Sequence, residues 1–158
     1  MLAITKATKD DVPAIAELLE EMDRFYGVTE FEPLDARMAQ IRAIVFTDPP
    51  AAHLLLAHDD DRAAGLATYS FLWPAVGLTR SLYLKELYVA DAYRRRGVGR
   101  LLMDRVRGIA DETGCSRVEW TTDRDNEGAR RFYKGLGYAI HPGKVFYRLE
   151  SVASASAE

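Results

Sequence analysis

The chain has 158 residues, 48% of them hydrophobic and 28% charged, with a formal net charge of -3. This is the balance of one ordinary folded domain, and its slight acid excess argues against a general nucleic-acid or membrane binder, whose partners call for basic surface. The single cysteine, Cys115, rules out an intrachain disulfide and a thiolate metal cluster and points to a reducing, cytoplasmic setting.

No apolar run approaches the roughly 18 residues of a membrane span, and Met1–Lys6 alternates like a strand rather than reading as a signal peptide. Residues 2–7 are the first expected strand. Asp10 or Asp11 can cap a helix with Pro13 in its first turn, and Ile15, Leu18, Leu19 and Met22 give that helix one apolar face, ended by Gly27. A second helix is expected over 34–46, with Met38, Ile41 and Val45 on one side and Asp48-Pro49-Pro50 as its stop. Leu54–Ala57 and Ala63–Leu72 read as a hairpin turning at Asp59–Arg62.

Ser81–Ala90 has apolar residues on both alternating faces, with Leu82, Leu84 and Tyr88 on one and Tyr83, Leu87 and Val89 on the other. That pattern fits a central strand. A helix follows with Val98, Leu101, Leu102, Ile109 and Ala110 as its expected buried stripe, stopped by Gly114. Then come a strand at 117–121, a helix at 126–134 and a last strand at Lys144–Leu149. The expected order is β-α-α-β-β-β-α-β-α-β-β. Residues 1–150 form the expected domain, and 151–158 a small polar tail with little to bury.

The most informative segment is Arg94-Arg95-Arg96-Gly97-Val98-Gly99, between the central strand and the long helix. A helix N-terminus carries unpaired N–H groups and partial positive charge, which suits a diphosphate. Gly97 and Gly99 remove side chains where oxygens must approach, and Arg94, Arg95, Arg96 and Arg100 add charge. The alternative is a solvated basic turn with two incidental glycines. The segment lacks the Gly-Lys-Ser/Thr ending of a P-loop and the third glycine of a dinucleotide fingerprint.

Arg-x-x-Gly-x-Gly directly after Leu-Tyr-Val, with Asn126…Phe132-Tyr133 later, resembles the GNAT superfamily of N-acetyltransferases over about residues 2–150. Within it the chain is most similar to the small diamine (spermidine/spermine) type. The resemblance implies an α/β fold: a mixed, mostly antiparallel twisted sheet of six to seven strands flanked by four helices. It also implies acetyl-CoA as co-substrate, no metal, a small-molecule amine as acceptor, and a homodimer with Lys144–Leu149 or the edge hairpin as candidate contacts.

By the same resemblance the backbone of Leu87, Tyr88 and Val89 pairs with the pantetheine arm like an added strand, where the central strand splays from its neighbour. The Val89 N–H, or a neighbour's, is placed to hold the oxyanion. The N–H groups from Arg95 through Val98 and Gly99 to Arg100 hold the pyrophosphate. Asn126, with Gly128 and Ala129 behind it, contacts CoA, although Asn126 also reads simply as a helix cap. Tyr133 becomes the acid that protonates the departing thiolate; read without the family, it is a core aromatic beside Phe132.

Glu86 is the candidate base. A carboxylate on a central strand is unusual unless it faces a cavity or finds a partner, and a pair with Lys85 or a nearby arginine is the plainer reading. The diamine enzymes carry an acid where this chain has Lys85, and Arg24-Phe25-Tyr26 is not acidic where they carry another, so polyamine specificity does not follow. Phe25, Tyr26, Glu30, Phe31 and Glu32 lie in the loop that borders the acceptor in that family, and with Lys85 and Glu86 they are the candidate acceptor-site residues. A protein or peptide acetyltransferase and a non-catalytic acyl-CoA sensor are the rival readings. His53, His58 and His141 have no metal-ligand spacing, and Cys115 reads as a small structural residue.

Overall fold

The computed structural model describes residues 1–151. The chain forms two compact units, Met1–Thr121 and Thr122–Glu158. The first contains β1 (Leu2–Lys6), α1 (Val12–Phe25), α2 (Leu34–Val45), β2 (His53–Asp59), β3 (Arg62–Leu72), β4 (Arg80–Val89), α3 (Val98–Glu112) and β5 (Cys115–Glu119). The second contains α4 (Glu127–Gly135). The expected tail lies outside the described residues except for Ser151.

The strands form one sheet in the order β1-β2-β3-β4-β5. The first four are antiparallel neighbours, and β5 runs parallel to β4. The fold is therefore the expected α/β arrangement of a mixed, mostly antiparallel sheet with four helices. The described residues hold five strands rather than six or seven. The difference lies at the C-terminus, where Lys144–Leu149 has the composition of a strand but takes no strand conformation. Apolar and aromatic content alone does not make a strand; it needs a ladder to join.

Local chemistry accounts for most boundaries. Asp59 pairs with Arg62 across a tight hairpin, and Asp60 takes the left-handed conformation (φ 53°) that such turns demand and aspartate tolerates. Asp11 takes the N-cap position of α1, but its side chain makes no cap bond to that helix. The Asp11 carboxylate instead accepts from the Thr8 N–H at 2.7 Å and the Thr8 hydroxyl at 3.0 Å, closing a short 3₁₀ turn that leads into the helix. Gly27 (φ 92°) follows the end of α1, and Gly114 (φ 70°) follows the end of α3.

The core of the first unit is aliphatic. Val12, Ile15, Ala16, Leu18 and Met22 of α1 are buried against the sheet side that carries Leu54, Leu56 and Leu66. The buried stripe of α3 is Val98, Leu102, Met103, Val106, Ile109 and Ala110. Leu101, expected inside, is 40% exposed, and Met103 and Val106 fill the face in its place.

β4 departs from simple alternation in a way that matters for the site. Thr68 pairs with Glu86, but Tyr69 pairs with Leu84, so Lys85 is an extra residue, a β-bulge. Residues directly opposite each other in a ladder share a face. Leu82, Leu84, Leu87 and Val89 therefore lie on one face with Phe71, Tyr69, Ala67 and Gly65. Tyr83, Glu86 and Tyr88 lie on the other with Ser70, Thr68 and Leu66. This corrects the expected grouping of Leu84 with Tyr88 and of Tyr83 with Leu87 and Val89. The face of Gly65 and Tyr69 meets α3, and the face of Tyr88 meets α1.

Candidate active site

The ladder between β4 and β5 runs from Arg80↔Cys115 to Tyr83↔Glu119 and ends there. Beyond it, Leu87, Tyr88 and Val89 pair in the sheet with β3 alone, opposite Ala67, Leu66 and Gly65. Among the described residues one side of this stretch of β4 thus has no strand beside it, the condition an extended, amide-bearing ligand needs to add itself to a sheet.

At the end of β4 the chain makes a short 3₁₀ turn at Asp91–Tyr93, then enters α3 through Gly97, which is left-handed (φ 82°, ψ 5°). Arg95, two residues earlier, also has positive φ (62°). A non-glycine residue in this region carries strain and marks a turn whose shape is held by its surroundings. Among the described residues no side chain caps α3, and its first turn contains no acidic residue. The first N–H groups of the helix are thus not consumed by an internal carboxylate. Arg95, Arg96 and Arg100 are exposed around them, and Val98 and Gly99 are buried beneath. The arrangement can hold an anion of diphosphate size through backbone donors, the helix dipole and flanking guanidinium groups.

Arg94 behaves differently from its neighbours. Its guanidinium lies 4.9 Å from the centre of the Phe25 ring and 5.9 Å from that of Tyr88, with Asp91 at 3.3 Å. It is turned back onto α1 and β4. Arg96 lies over the Tyr93 ring at 5.3 Å. The Tyr88 hydroxyl donates to Glu21 Oε1 at 2.8 Å, and the same oxygen accepts from the Asp91 N–H at 2.8 Å. Burial and this carboxylate push the Tyr88 phenol up to about 12. Glu21 carries no motif signal, because it sits in a helix where an exposed acid is unremarkable. Only the fold reveals its two partners.

Phe25 packs edge-on to Tyr26 at 5.2 Å at the end of α1. The following loop is anchored by Phe31, whose ring lies 4.6 Å from the Arg24 guanidinium and 5.7 Å from that of Arg37. Both arginines bind Glu20, at 2.6 Å and 2.7 Å. Hydrogen bonds from Arg24 and Arg37 hold the Glu20 carboxyl below its usual range. Phe31 is half-buried, whereas Glu30 and Glu32 on either side are exposed. Glu86 is half-buried on the α1 face of β4, and Lys85 is exposed at the bulge.

Gly65, inside β3, is also tightly enclosed here. A Cβ on Gly65 would sit 2.6 Å from the Tyr88 carbonyl oxygen and 3.3 Å from both Val89 Cα and Val98 Cγ1. A glycine inside a strand is the signal of such close approach.

In the second unit Asn126 caps α4, its side-chain oxygen accepting from the Ala129 N–H at 3.1 Å. Gly128 and Ala129 form the first turn of that helix, and Tyr133 lies toward its end, its ring 5.1 Å from that of Phe132. An open cleft of about 250 Å³, bordered by Lys6, Phe46, Asp48, Pro50 and His53, involves none of the expected site residues. Among the described residues no group of three or more His, Cys, Asp or Glu side chains could hold a metal ion. No described helix is long and apolar enough to cross a membrane.

Comparison with known proteins agrees with this architecture. An integron cassette protein of V. cholerae superimposes with a TM-score of 0.86 at 27% identity, over 99% of this chain and 96% of the other. A D-amino-acid N-acetyltransferase of Saccharomyces cerevisiae is 35% identical over 54% of this chain and about half (52%) of its own length. A thialysine N-epsilon-acetyltransferase of Bos taurus is 25% identical over 85% of this chain and 82% of its own. The acetyltransferase (GNAT) family model matches residues 14–138. With the one-sided stretch of β4 leading into the uncapped, glycine-led start of α3, this match places the chain in the GNAT family, and the protein is an acetyltransferase.

Proposed function

We propose that the protein transfers an acetyl group from acetyl-CoA to a primary amine of a small molecule, by direct attack while both are bound. The observation that carries this reading is the junction of β4 and α3. An unpaired strand edge runs straight into an uncapped helix start with Gly97 left-handed. The edge suits the amides of a pantetheine arm, and the helix start suits its pyrophosphate. The fit extends to side chains, since exposed Arg95, Arg96 and Arg100 surround the helix start while Arg94, also exposed, turns back over Phe25. A small amine is supported by the names of the two relatives, one for thialysine and one for D-amino acids.

Acetyl-CoA would supply an activated acyl carbon, and the protein's own groups supply position and proton transfer. The N–H groups of Val98, Gly99 and Arg100 bind phosphate oxygens, and an N–H at or next to Val89 stabilises the oxyanion. An alkylammonium of pKa about 10.4 must lose a proton before its nitrogen can attack. Glu86 accepts that proton, directly or through water, from the α1 face of β4. Tyr133 donates a proton to the departing thiolate.

Glu86→Gln is expected to lower kcat/KM for the amine about tenfold near neutral pH. The deficit should shrink as pH approaches the amine's own pKa, where the free amine needs no base. Equal activity of both proteins across that range would remove Glu86 from the mechanism.

Because Phe31 anchors the loop and leaves Glu30 and Glu32 outside, the double change of Glu30 and Glu32 to alanine should raise the acceptor KM about three- to tenfold, as expected for lost charge complementarity. The acetyl-CoA KM should stay put; the opposite pattern would show that the loop serves the donor.

A thiol-release assay over amines, amino acids and peptides with acetyl-CoA tests the whole reading. Turnover on a small amine supports it, and turnover only on peptides moves the acceptor class. Thermal stabilisation by acetyl-CoA with no turnover on any amine would identify an acyl-CoA sensor instead.

A further inference from the structure

We propose that Glu21 is a positioning residue for the acetyl-CoA cradle, holding the turn between β4 and α3 through one carboxylate oxygen; this rests on the acetyl-CoA reading above. Glu21 Oε1 accepts from two donors on different parts of the chain. One is the Tyr88 hydroxyl on β4 and the other is the backbone N–H of Asp91, the first residue of the turn, both at 2.8 Å. Asp91 opens the stretch that must place positive φ at both Arg95 and Gly97 before α3 begins. Such strained backbone persists only where its surroundings over-determine it.

The other fixings of this stretch lie in the same neighbourhood. The Tyr93 N–H bonds the Ala90 carbonyl at 2.8 Å, the Ala90 N–H bonds the Ala64 carbonyl at 2.9 Å, and Arg94 reaches from the turn over Phe25 of α1. Glu21 and Phe25 lie one helical turn apart on α1, so they present to the turn from a single helix face. The carboxylate is matched to its task. It accepts from both a hydroxyl and an amide, and charge-assisted bonds of this kind are the strong ones. α1 therefore does more than cover the sheet, because its fifth residue from the C-terminal end fixes where the donor-lined start of α3 sits.

The test uses the full chain and three variants: Glu21→Ala, Glu21→Gln and Tyr88→Phe. Three quantities are measured: acetyl-CoA Kd by calorimetry, KM for acetyl-CoA and for the amine, and amide hydrogen exchange over 91–100 without ligand. Glu21→Ala should weaken acetyl-CoA about tenfold, the size expected for losing a charge-assisted bond, with the amine KM little changed and exchange faster at Asp91–Arg100. Glu21→Gln should restore most of both, since an amide oxygen accepts from the same two donors. Tyr88→Phe should weaken acetyl-CoA about threefold, because only one neutral donor is lost.

A fall in melting temperature with unchanged Kd and unchanged exchange at these amides would show a merely structural residue and overturn the proposal. If Glu21→Ala does not fold, Tyr88→Phe carries the decision, and an unchanged Kd there overturns it equally. If the unmodified protein does not bind acetyl-CoA, the reading of the ligand fails and takes the cradle role with it. The exchange data then still report whether Glu21 fixes the turn.

Discussion

Tyr133→Phe is expected to lower kcat about 100-fold at neutral pH, the scale of a lost general acid, while acetyl-CoA affinity changes little. A phenol of pKa about 10 is almost fully protonated at pH 7 and can donate, and a thiol of pKa about 8.5 is a somewhat stronger acid. Donation to the thiolate is therefore uphill by roughly 1.5 units, or about 2 kcal/mol. In the proposed mechanism the phenol would act as a proton source while the carbon–sulfur bond is breaking rather than as a strong acid. The substitution keeps the aromatic ring and its edge contact with Phe132. The pH profile separates this role from packing. The wild-type rate should fall as the phenol ionises at high pH, and the variant should lack that descending limb. A kcat within twofold of wild type would remove Tyr133 from proton transfer.

Gly65→Ala is expected to destabilise the first unit by about 2–3 kcal/mol, the range for forcing atoms into a filled site. That corresponds to a fall in melting temperature of roughly 5–10 °C for a chain of this size. The new Cβ would meet the Tyr88 carbonyl at 2.6 Å, which is backbone held in the β3–β4 ladder and not a flexible side-chain end. The strand cannot retreat without losing that ladder, and Val98 closes the other side. Tyr88, Val89 and Val98 are also the atoms on which the proposed cradle is built, so the acetyl-CoA KM should rise in the protein that remains folded. An unchanged melting temperature would mean that the sheet yields more easily than its pairing implies.

The sequence was most legible where one local rule dominates. Helix ends were marked by Gly27 and Gly114, the β2–β3 turn by its aspartates, and the α3 start by the arginine–glycine run. What escaped it were arrangements that need two distant segments. Leu101 looked as buried as Leu102, but the rotation of α3 on the sheet set Met103 and Val106 inward instead. Gly65 carries no motif, because the carbonyl above it comes from β4. Glu21 carries none either, because its donors lie 67 and 70 positions away. Lys144–Leu149 was expected as a last strand but joins no ladder among the described residues.

The extra residue at Lys85 changes how any relative should be compared with this chain. Strand positions are commonly matched by counting along the sequence, and a bulge makes that count change meaning partway along β4. Counted from Arg80, Glu86 belongs with Leu82 and Leu84. Counted back from the glycine-led turn, it belongs with Tyr88 on the α1 side, as the pairing shows. The acid that diamine-type enzymes carry one place earlier therefore cannot be equated with Lys85 by position alone. A one-residue insertion or deletion here would exchange which side chains meet α1 and which meet α3, while leaving the backbone edge beside the donor in place. Which side chains of β4 meet which helix can therefore shift through the length of one strand as readily as through the identity of its residues.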